Sequence, residues 1–293
     1  MINTTNSIEV LWLEDLACQD VTRVGGKVAN LSRLAALERV PAGFCLPTAV
    51  YTNWTAHPNQ RMILDKMEAT ITNAYNTLAA FVHKEKLSVA VRSSAVNEDG
   101  QDSSFAGLFE TYLNIVGSKA VHGAVQRCWA SAQAARVDTY RTHQGQAATP
   151  VQLAVLIQEL VAADFSAVVF SANPVTGNRD EIVINASWGL GESIVGGTVT
   201  PDTIVVRKTD GAIQQRITAD KSRMTILAAA GVQEVAVPRP MRNVPVVTDE
   251  QAQEMAQLAQ KLEQTMGWPV DLECAYADAQ LYLLQCRPIT TLS

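Results

Sequence analysis

A chain of 293 residues with 47% hydrophobic and 18% charged side chains has the composition of a folded globular protein rather than a disordered one. It is long for one core, which points to two lobes or to one domain around a cleft. A formal charge of -6 with no Lys/Arg run excludes a general nucleic-acid surface and suits a cationic partner better than an anionic one.

Met1 to Val10 is polar and holds no apolar run of signal-peptide or membrane-spanning length, so a cytoplasmic protein is expected. Cys18, Cys45, Cys128, Cys274 and Cys286 show no C-x-x-C spacing and read as reduced, packed thiols rather than a zinc site or a disulfide framework. The first informative stretch is Val24-Gly25-Gly26-Lys27-Val28. Two glycines end an extended piece, after which Val28, Leu31, Leu34 and Ala35 recur at helical spacing. Lys27 then falls in the first turn, where the helix dipole already favours an anion, so it is either a phosphate ligand or a surface lysine after a turn. Val40 to Thr48 reads as a turn and a short apolar strand with Thr48 as the next N-cap, while His57 and His83 lack partner spacing and read as structural or solvated.

Ser88 to Val91 is an apolar strand that runs into Arg92-Ser93-Ser94, and Asp99 to Gly107 is a small, polar, glycine-bounded loop. A strand-end Arg can fork onto a phosphate while backbone N–H groups of small residues close over it; the alternative is Arg92 pairing with Glu98 or Asp99 beside an ordinary turn. Ala120 to His143 reads as one helix with Val121, Val125, Trp129 and Ala132 on a face, leaving His122 and His143 on its surface. Leu153 to Gln158, Ala167 to Phe170 and Ile182 to Ala186 are strands buried on both faces. Between the first two, Gln158, Glu159, Leu160 and Val161 form a connector where two lobes could hinge and offer backbone groups to a flat base.

Ala172 to Gly177 is a turn by its chemistry. Gly189-Leu190-Gly191-Glu192-Ser193 is a glycine-rich bend whose carboxylate either binds a ribose hydroxyl or caps the helix at Ser193. Thr203 to Arg207 and Ala212 to Ile217 flank a hairpin turn at Thr209-Asp210-Gly211, and Thr248-Asp249-Glu250-Gln251 is a capping box. The helix it opens buries Ala252, Met255, Leu258, Ala259, Leu262 and Met266 and stops at Gly267. The chain then ends in two alternating runs, Asp271 to Tyr276 and Leu281 to Pro288. With a turn at Asp278-Ala279-Gln280, Glu273 faces Gln285, Asp271 faces Arg287, and all four polar groups share a face. The other face is then Leu272, Cys274, Tyr276, Tyr282, Leu284 and Cys286. The polar face is a seat for a metal ion and a phosphate, or a surface salt bridge of roughly 0 to 1 kcal/mol.

Six segments in order carry a family resemblance: Gly25-Gly26-Lys27 with Asn30-Leu31, Val91 to Ala95, Ser104 to Gly107 with Glu110-Thr111-Tyr112, Ala172 to Gly177, Gly189 to Glu192, and Gln285 to Pro288. Together they resemble the ATP-binding domain of phosphoenolpyruvate synthase, pyruvate phosphate dikinase and rifampin phosphotransferase, from about Leu16 to Thr290. The resemblance implies an α+β, ATP-grasp-like fold of two lobes with the nucleotide in the cleft between them. The N-terminal lobe would span residues 1–150 and the C-terminal lobe 151–293. Carried over to this chain, Lys27 and Arg92 would hold phosphates, with Ser103, Ser104, Phe105, Ala106 and Gly107 covering them. Gln158, Glu159, Leu160 and Val161 would receive adenine, and Glu192 would lie near the ribose. Glu273 and Gln285 would coordinate Mg²⁺, and Arg287 would reach the transferring phosphoryl group, with Asp271 or Glu192 as base. Val28, Cys274 and Cys286 depart from the family pattern without removing a charged ligand.

The multidomain relatives load a histidine on a swivelling carrier domain. Here no histidine has that setting, Thr142-His143-Gln144 being the nearest, so the acceptor is expected from outside the chain. The favoured expectation is a kinase passing phosphate from MgATP directly to a small molecule, a polar or cationic hydroxyl compound suiting the acidic balance. The alternative is the ATP-binding subunit of a split dikinase that phosphorylates a separate carrier protein. An ATP-grasp ligase and a non-catalytic ATP-binding regulator rank behind these.

Overall fold

The computed structural model describes residues 8–57, 60–96, 110–132 and 152–292. They belong to two units: the first takes most of the chain up to Leu160, and the second takes Val161–Ser293 together with the short segment Glu38–Pro41.

In the first unit, β1 (Leu11–Trp12), β2 (Gly43–Leu46), β3 (Ser88–Ala95), β4 (Thr111–Val116) and β5 (Leu153–Glu159) form one antiparallel sheet in the order β1-β2-β5-β3-β4. Period-two alternation gives the sheet two apolar faces. Phe44, Leu46, Val89, Val91, Val155 and Ile157 build one core with α2 (Thr48–Ala56), α3 (Arg61–Phe81) and α4 (Ser118–Ala132), where Trp129 is fully buried. On the other face lies α1 (Val21–Ala35), burying Val24, Val28, Leu31 and Leu34. Because β5 pairs with β2 and β3, the unit ends at Leu160 rather than at residue 150. Thr48 is the first helical residue and Pro47 the N-cap; the Thr48 hydroxyl donates instead to the Thr22 carbonyl at 3.1 Å. His122 is half-buried rather than on the helix surface, and burial lowers its pKa. His143 lies outside the described residues.

The second unit is a six-stranded antiparallel sheet in the order β13-β12-β6-β7-β8-β9. Its strands are β6 (Phe165–Phe170), β7 (Glu181–Trp188), β8 (Asp202–Arg207), β9 (Ile213–Ile217), β12 (Val270–Ala277) and β13 (Gln280–Pro288); β10 (Arg223–Leu227) and β11 (Val232–Ala236) make a separate ribbon. Leu272, Val169, Ile184 and Ile204 pair in one register row, all fully buried. Each contributes about 1.5–3 kcal/mol of burial. The helix that covers this row follows the short α5 (Glu192–Val195) and is α6 (Asp249–Met266). Thr248 and Gln251 close the expected capping box, and Gly267 ends the helix at φ 77. Its buried stripe is Ala252, Met255, Ala256, Ala259 and Leu262, with Leu258 and Met266 only half-buried.

The terminal hairpin reaches the expected register by a different route. Its turn is the two residues Asp278 and Ala279, both at positive φ (50 and 58), as a type I′ turn requires, and Gln280 pairs with Ala277. A β-bulge between Glu273 and Cys274, with Leu284 as the extra residue, then restores the pairing of Glu273 with Gln285 and Asp271 with Arg287. Near the turn the facing partners therefore change. Leu283 opposes Cys274 and Leu281 opposes Tyr276, so Leu281 and Leu283, not Tyr282 and Leu284, join the apolar face.

Candidate active site

Two clusters of charge, one in each unit, contain part of the expected site: Lys27 and Arg92 in the first, and Asp271, Glu273, Gln285 and Arg287 in the second. In the first unit the segment before Gly25 is a helical turn rather than an extended piece, and the helix breaks at Gly25 (φ 76, ψ 168) before restarting. A Cβ at Gly25 would lie 2.4 Å from Ser94 Oγ and 2.5 Å from the Ser94 carbonyl oxygen, so only glycine permits this approach to β3. The restarted turn brings Lys27 onto the same strand end. Lys27 Nζ donates to the Ser93 carbonyl at 3.1 Å, and the Val28 N–H donates to Ser94 Oγ at 3.3 Å. Lys27 and Arg92 are 7% and 8% exposed, which places two cations in a region where burial disfavours charge. A bound phosphate would offset that penalty. Cys128 sits behind the cluster against the Val91 carbonyl, and burial pushes its thiol up to about 11, so it remains neutral. The residues expected to cover the phosphates, Ser103, Ser104, Phe105, Ala106 and Gly107, lie outside the described residues.

The connector is more engaged than its sequence suggests. Gln158 is inside the sheet, pairing with Gly43 and Ala90, and is 2% exposed. The Glu159 and Leu160 N–H groups donate to the Ala42 and Ser88 carbonyls at 2.8 and 3.0 Å, and Glu159 Oε1 accepts from Lys84 Nζ at 2.8 Å. Val161 is where the chain enters the second unit.

In the second unit, Asp271, Glu273, Gln285 and Arg287 share the sheet face opposite α6. Arg287 Nε donates to Asp271 Oδ2 at 2.9 Å, while Asp271 Oδ1 is buried with no hydrogen-bond partner. Burial raises the Asp271 carboxyl above the usual carboxylate range, and the Arg287 guanidinium opposes that rise. Glu273 is half-buried and Gln285 is 3% exposed. Directly opposed residues hold their Cβ atoms about 4.5–5.5 Å apart, so the carboxylate and the amide oxygen can reach one small cation. Among the described residues no group of three or more His, Cys, Asp or Glu could hold a metal. Two protein oxygens suit Mg²⁺, which keeps much of its shell for water and phosphate, and the orphaned Asp271 Oδ1 adds an acceptor on the same face.

Glu192 is exposed and is the first residue of α5, with Gly191 rather than its own side chain at the N-cap. Gly191 packs on Ser166, whose partner on β12 is Ala275, two residues from Glu273 on the same face. The glycine bend just before Glu192 thereby packs on the sheet face that Glu273 and Gln285 share. Sequence reasoning missed Ser93 and Ser94 as anchors of the α1 restart, although their place at an apolar strand's end was a usable signal. It also missed the buried ion pair of Asp202 with Lys221, at 2.5 Å, for which the local sequence gives no cue.

Antiparallel sheets with helices packed on them make this a protein of the α+β class. A family model described as the pyruvate phosphate dikinase AMP/ATP-binding domain matches residues 59–293, and the chain belongs to this family. Arg92 and the hairpin fall inside that match, and Lys27 precedes it. A probable phosphoenolpyruvate synthase from Pyrococcus abyssi is 36% identical over 97% of this chain and 44% of its own length. A rifampicin phosphotransferase from Streptomyces sviceus is 35% identical over 99% of this chain and 37% of its own, and an uncharacterized phosphotransferase from Bacillus subtilis is 41% identical over 78% and 27%. The chain spans less than half the length of these relatives. No helix among the described residues is long and apolar enough to cross a membrane.

Proposed function

We propose that this chain is an MgATP-dependent phosphotransferase that passes a phosphoryl group directly to a small-molecule acceptor, a polar or cationic hydroxyl compound. The observation that carries this reading is the β12–β13 face, where a carboxylate, an amide oxygen and a guanidinium stand in successive register pairs. Phosphoryl transfer needs positioning and charge neutralisation more than a covalent protein group. Mg²⁺ held by Glu273 and Gln285 would supply the neutralisation at the phosphate oxygens.

Arg287 is oriented through its Nε by Asp271, so its guanidinium is fixed before charge develops on the transferring group. Lys27 and Arg92 hold phosphates in the first unit. Gln158 to Val161 receive adenine through groups other than the Glu159 and Leu160 amides, which the sheet already uses. Glu192 takes the ribose. Of the two candidate bases, Asp271 is favoured over the exposed Glu192, because its buried Oδ1 has no hydrogen-bond partner and its proton affinity is raised.

The similarity to phosphoenolpyruvate synthases supports a second reading, in which the acceptor is a histidine on a separate carrier protein. Among the described histidines, His57, His83 and His122, none belongs to either cluster. The test follows γ- and β-labelled ATP with Mg²⁺ and the purified chain, alone and with small-molecule and protein fractions of a cell extract. The expected result is label on a small molecule with ADP formed. Acid-labile label on a second protein, with AMP formed, would replace the direct kinase by the loading subunit of a dikinase. No ATP consumption with either fraction would overturn both.

A further inference from the structure

The connection between α1 and β2 leaves the first unit. After Leu37 the chain enters the second unit as Glu38–Pro41 and returns at Ala42. There it lies along the outer edge of β13. The Leu283 N–H donates to the Arg39 carbonyl at 2.9 Å, the Arg39 guanidinium carbon stands 5.6 Å from the centre of the Tyr282 ring, and Glu38 Oε1 is 2.7 Å from Lys261 Nζ on α6. Tyr282 and Leu283 are the two residues before the bulge, and Gln285 follows it.

That placement matters because the bulge decides which side chain faces Glu273. With a two-residue turn and an unbroken ladder, Leu284 would oppose Glu273 and Gln285 would turn toward the face that packs on α6. The extra residue keeps the amide oxygen beside the carboxylate. An edge strand fastened on one side only is free to slip. Glu38–Pro41 supplies the second side, with one backbone hydrogen bond, one cation over a ring and one ion pair.

We infer that Glu38–Pro41 is a positioning strap for Gln285: it grips β13 just before the bulge and so holds the metal-binding pair in register. The inference rests on the reading of Glu273 and Gln285 as the Mg²⁺ pair. Arg39 touches neither the metal nor the nucleotide in this assignment and acts only through β13. It is exposed, so replacing it leaves the core intact.

The test uses the full chain with ATP and compares Arg39→Ala, Arg39→Lys and Glu38→Gln with the parent. The readings are the Mg²⁺ concentration for half-maximal ATP consumption, ATP affinity in EDTA, and Tm. Arg39→Ala is expected to raise the Mg²⁺ requirement by about 10-fold, the scale seen when outer-shell support of a metal ligand is lost. ATP affinity in EDTA should stay at the parent value, Arg39→Lys should recover most of the loss, and Glu38→Gln should give a smaller shift in the same direction. An unchanged Mg²⁺ requirement in Arg39→Ala, with or without a lower Tm, overturns the strap. Gln285→Ala separates the two readings: if it too leaves the Mg²⁺ requirement unchanged, the metal assignment fails rather than the strap.

Discussion

The hairpin cluster and the α1–β3 cluster hold their charges by different means. Asp271 and Arg287 are 16 residues apart and meet because one hairpin places them opposite each other, so their geometry is set by ladder register. Lys27 and Ser93 are 66 residues apart, and they meet only because Gly25 lets a broken helix press against the end of β3. The first arrangement tolerates changes in side chains outside its polar face but not changes in strand length. The second tolerates neither a Cβ at one glycine nor a shift of one helix. Function in the hairpin should therefore be lost through single ligands, and function in the other cluster through backbone packing.

The largest expected effect tests the hairpin. Glu273→Ala should lower turnover by about 10²–10³-fold, the loss typical of removing one preorganised charge-stabilising group, with an unchanged circular dichroism spectrum. Arg287→Ala should be as inactive but less stable, because it leaves the Asp271 carboxylate buried without its cation; pairing it with Asp271→Asn should return the lost stability and not the activity. Near-normal turnover in Glu273→Ala would end the metal assignment.

Next comes the glycine on the other side of the comparison. Gly25→Ala combines a positive φ with a backbone clash and should destabilise the chain by about 2–4 kcal/mol in denaturant melts, taking ATP binding with it. Lys27→Ala should instead leave the melt unchanged and weaken ATP binding by about tenfold, or about 1.4 kcal/mol. Equal effects on the melt from both variants would blur the distinction between ligand and packing.

A smaller effect concerns pH. Asp271 has its carboxyl raised by burial, so its contribution to stability is present at the acid end and is lost as pH rises through its folded value. Asp271→Asn should accordingly gain Tm relative to the parent as pH rises above about 4, while ATP consumption falls. A constant difference across that range would show that Arg287 offsets the burial fully. The smallest change is Ala279→Gly in the type I′ turn, which should add about 0.5–1 kcal/mol by relieving a positive φ, read as a higher denaturant midpoint with turnover intact.

The hairpin was legible in the sequence because alternation and a short turn determine facing pairs over a few residues. Its bulge was not, since a three-residue turn and a two-residue turn with one extra strand residue give the same pairing at Glu273, and only the residues near the turn distinguish them. The α6 capping box was legible for the same local reason. The Gly25 break, the sheet pairing of Gln158 and the Asp202–Lys221 ion pair depend on partners distant in sequence. Periodicity could suggest that Lys27 opens a helix, but not that the preceding turn is helical too or that Ser94 limits the space at Gly25.

The five cysteines are all buried, distributed as Cys18, Cys45 and Cys128 in the first unit and Cys274 and Cys286 in the second. Burial raises the thiols of Cys18, Cys45, Cys128 and Cys274, so a labelling reagent meets little thiolate until a unit opens. Their alkylation rates are thus clocks for local opening. One set times the half that carries Lys27 and Arg92, and the other times the half that carries Glu273 and Gln285. Nucleotide added during labelling would slow one clock or both, recording which half it holds closed.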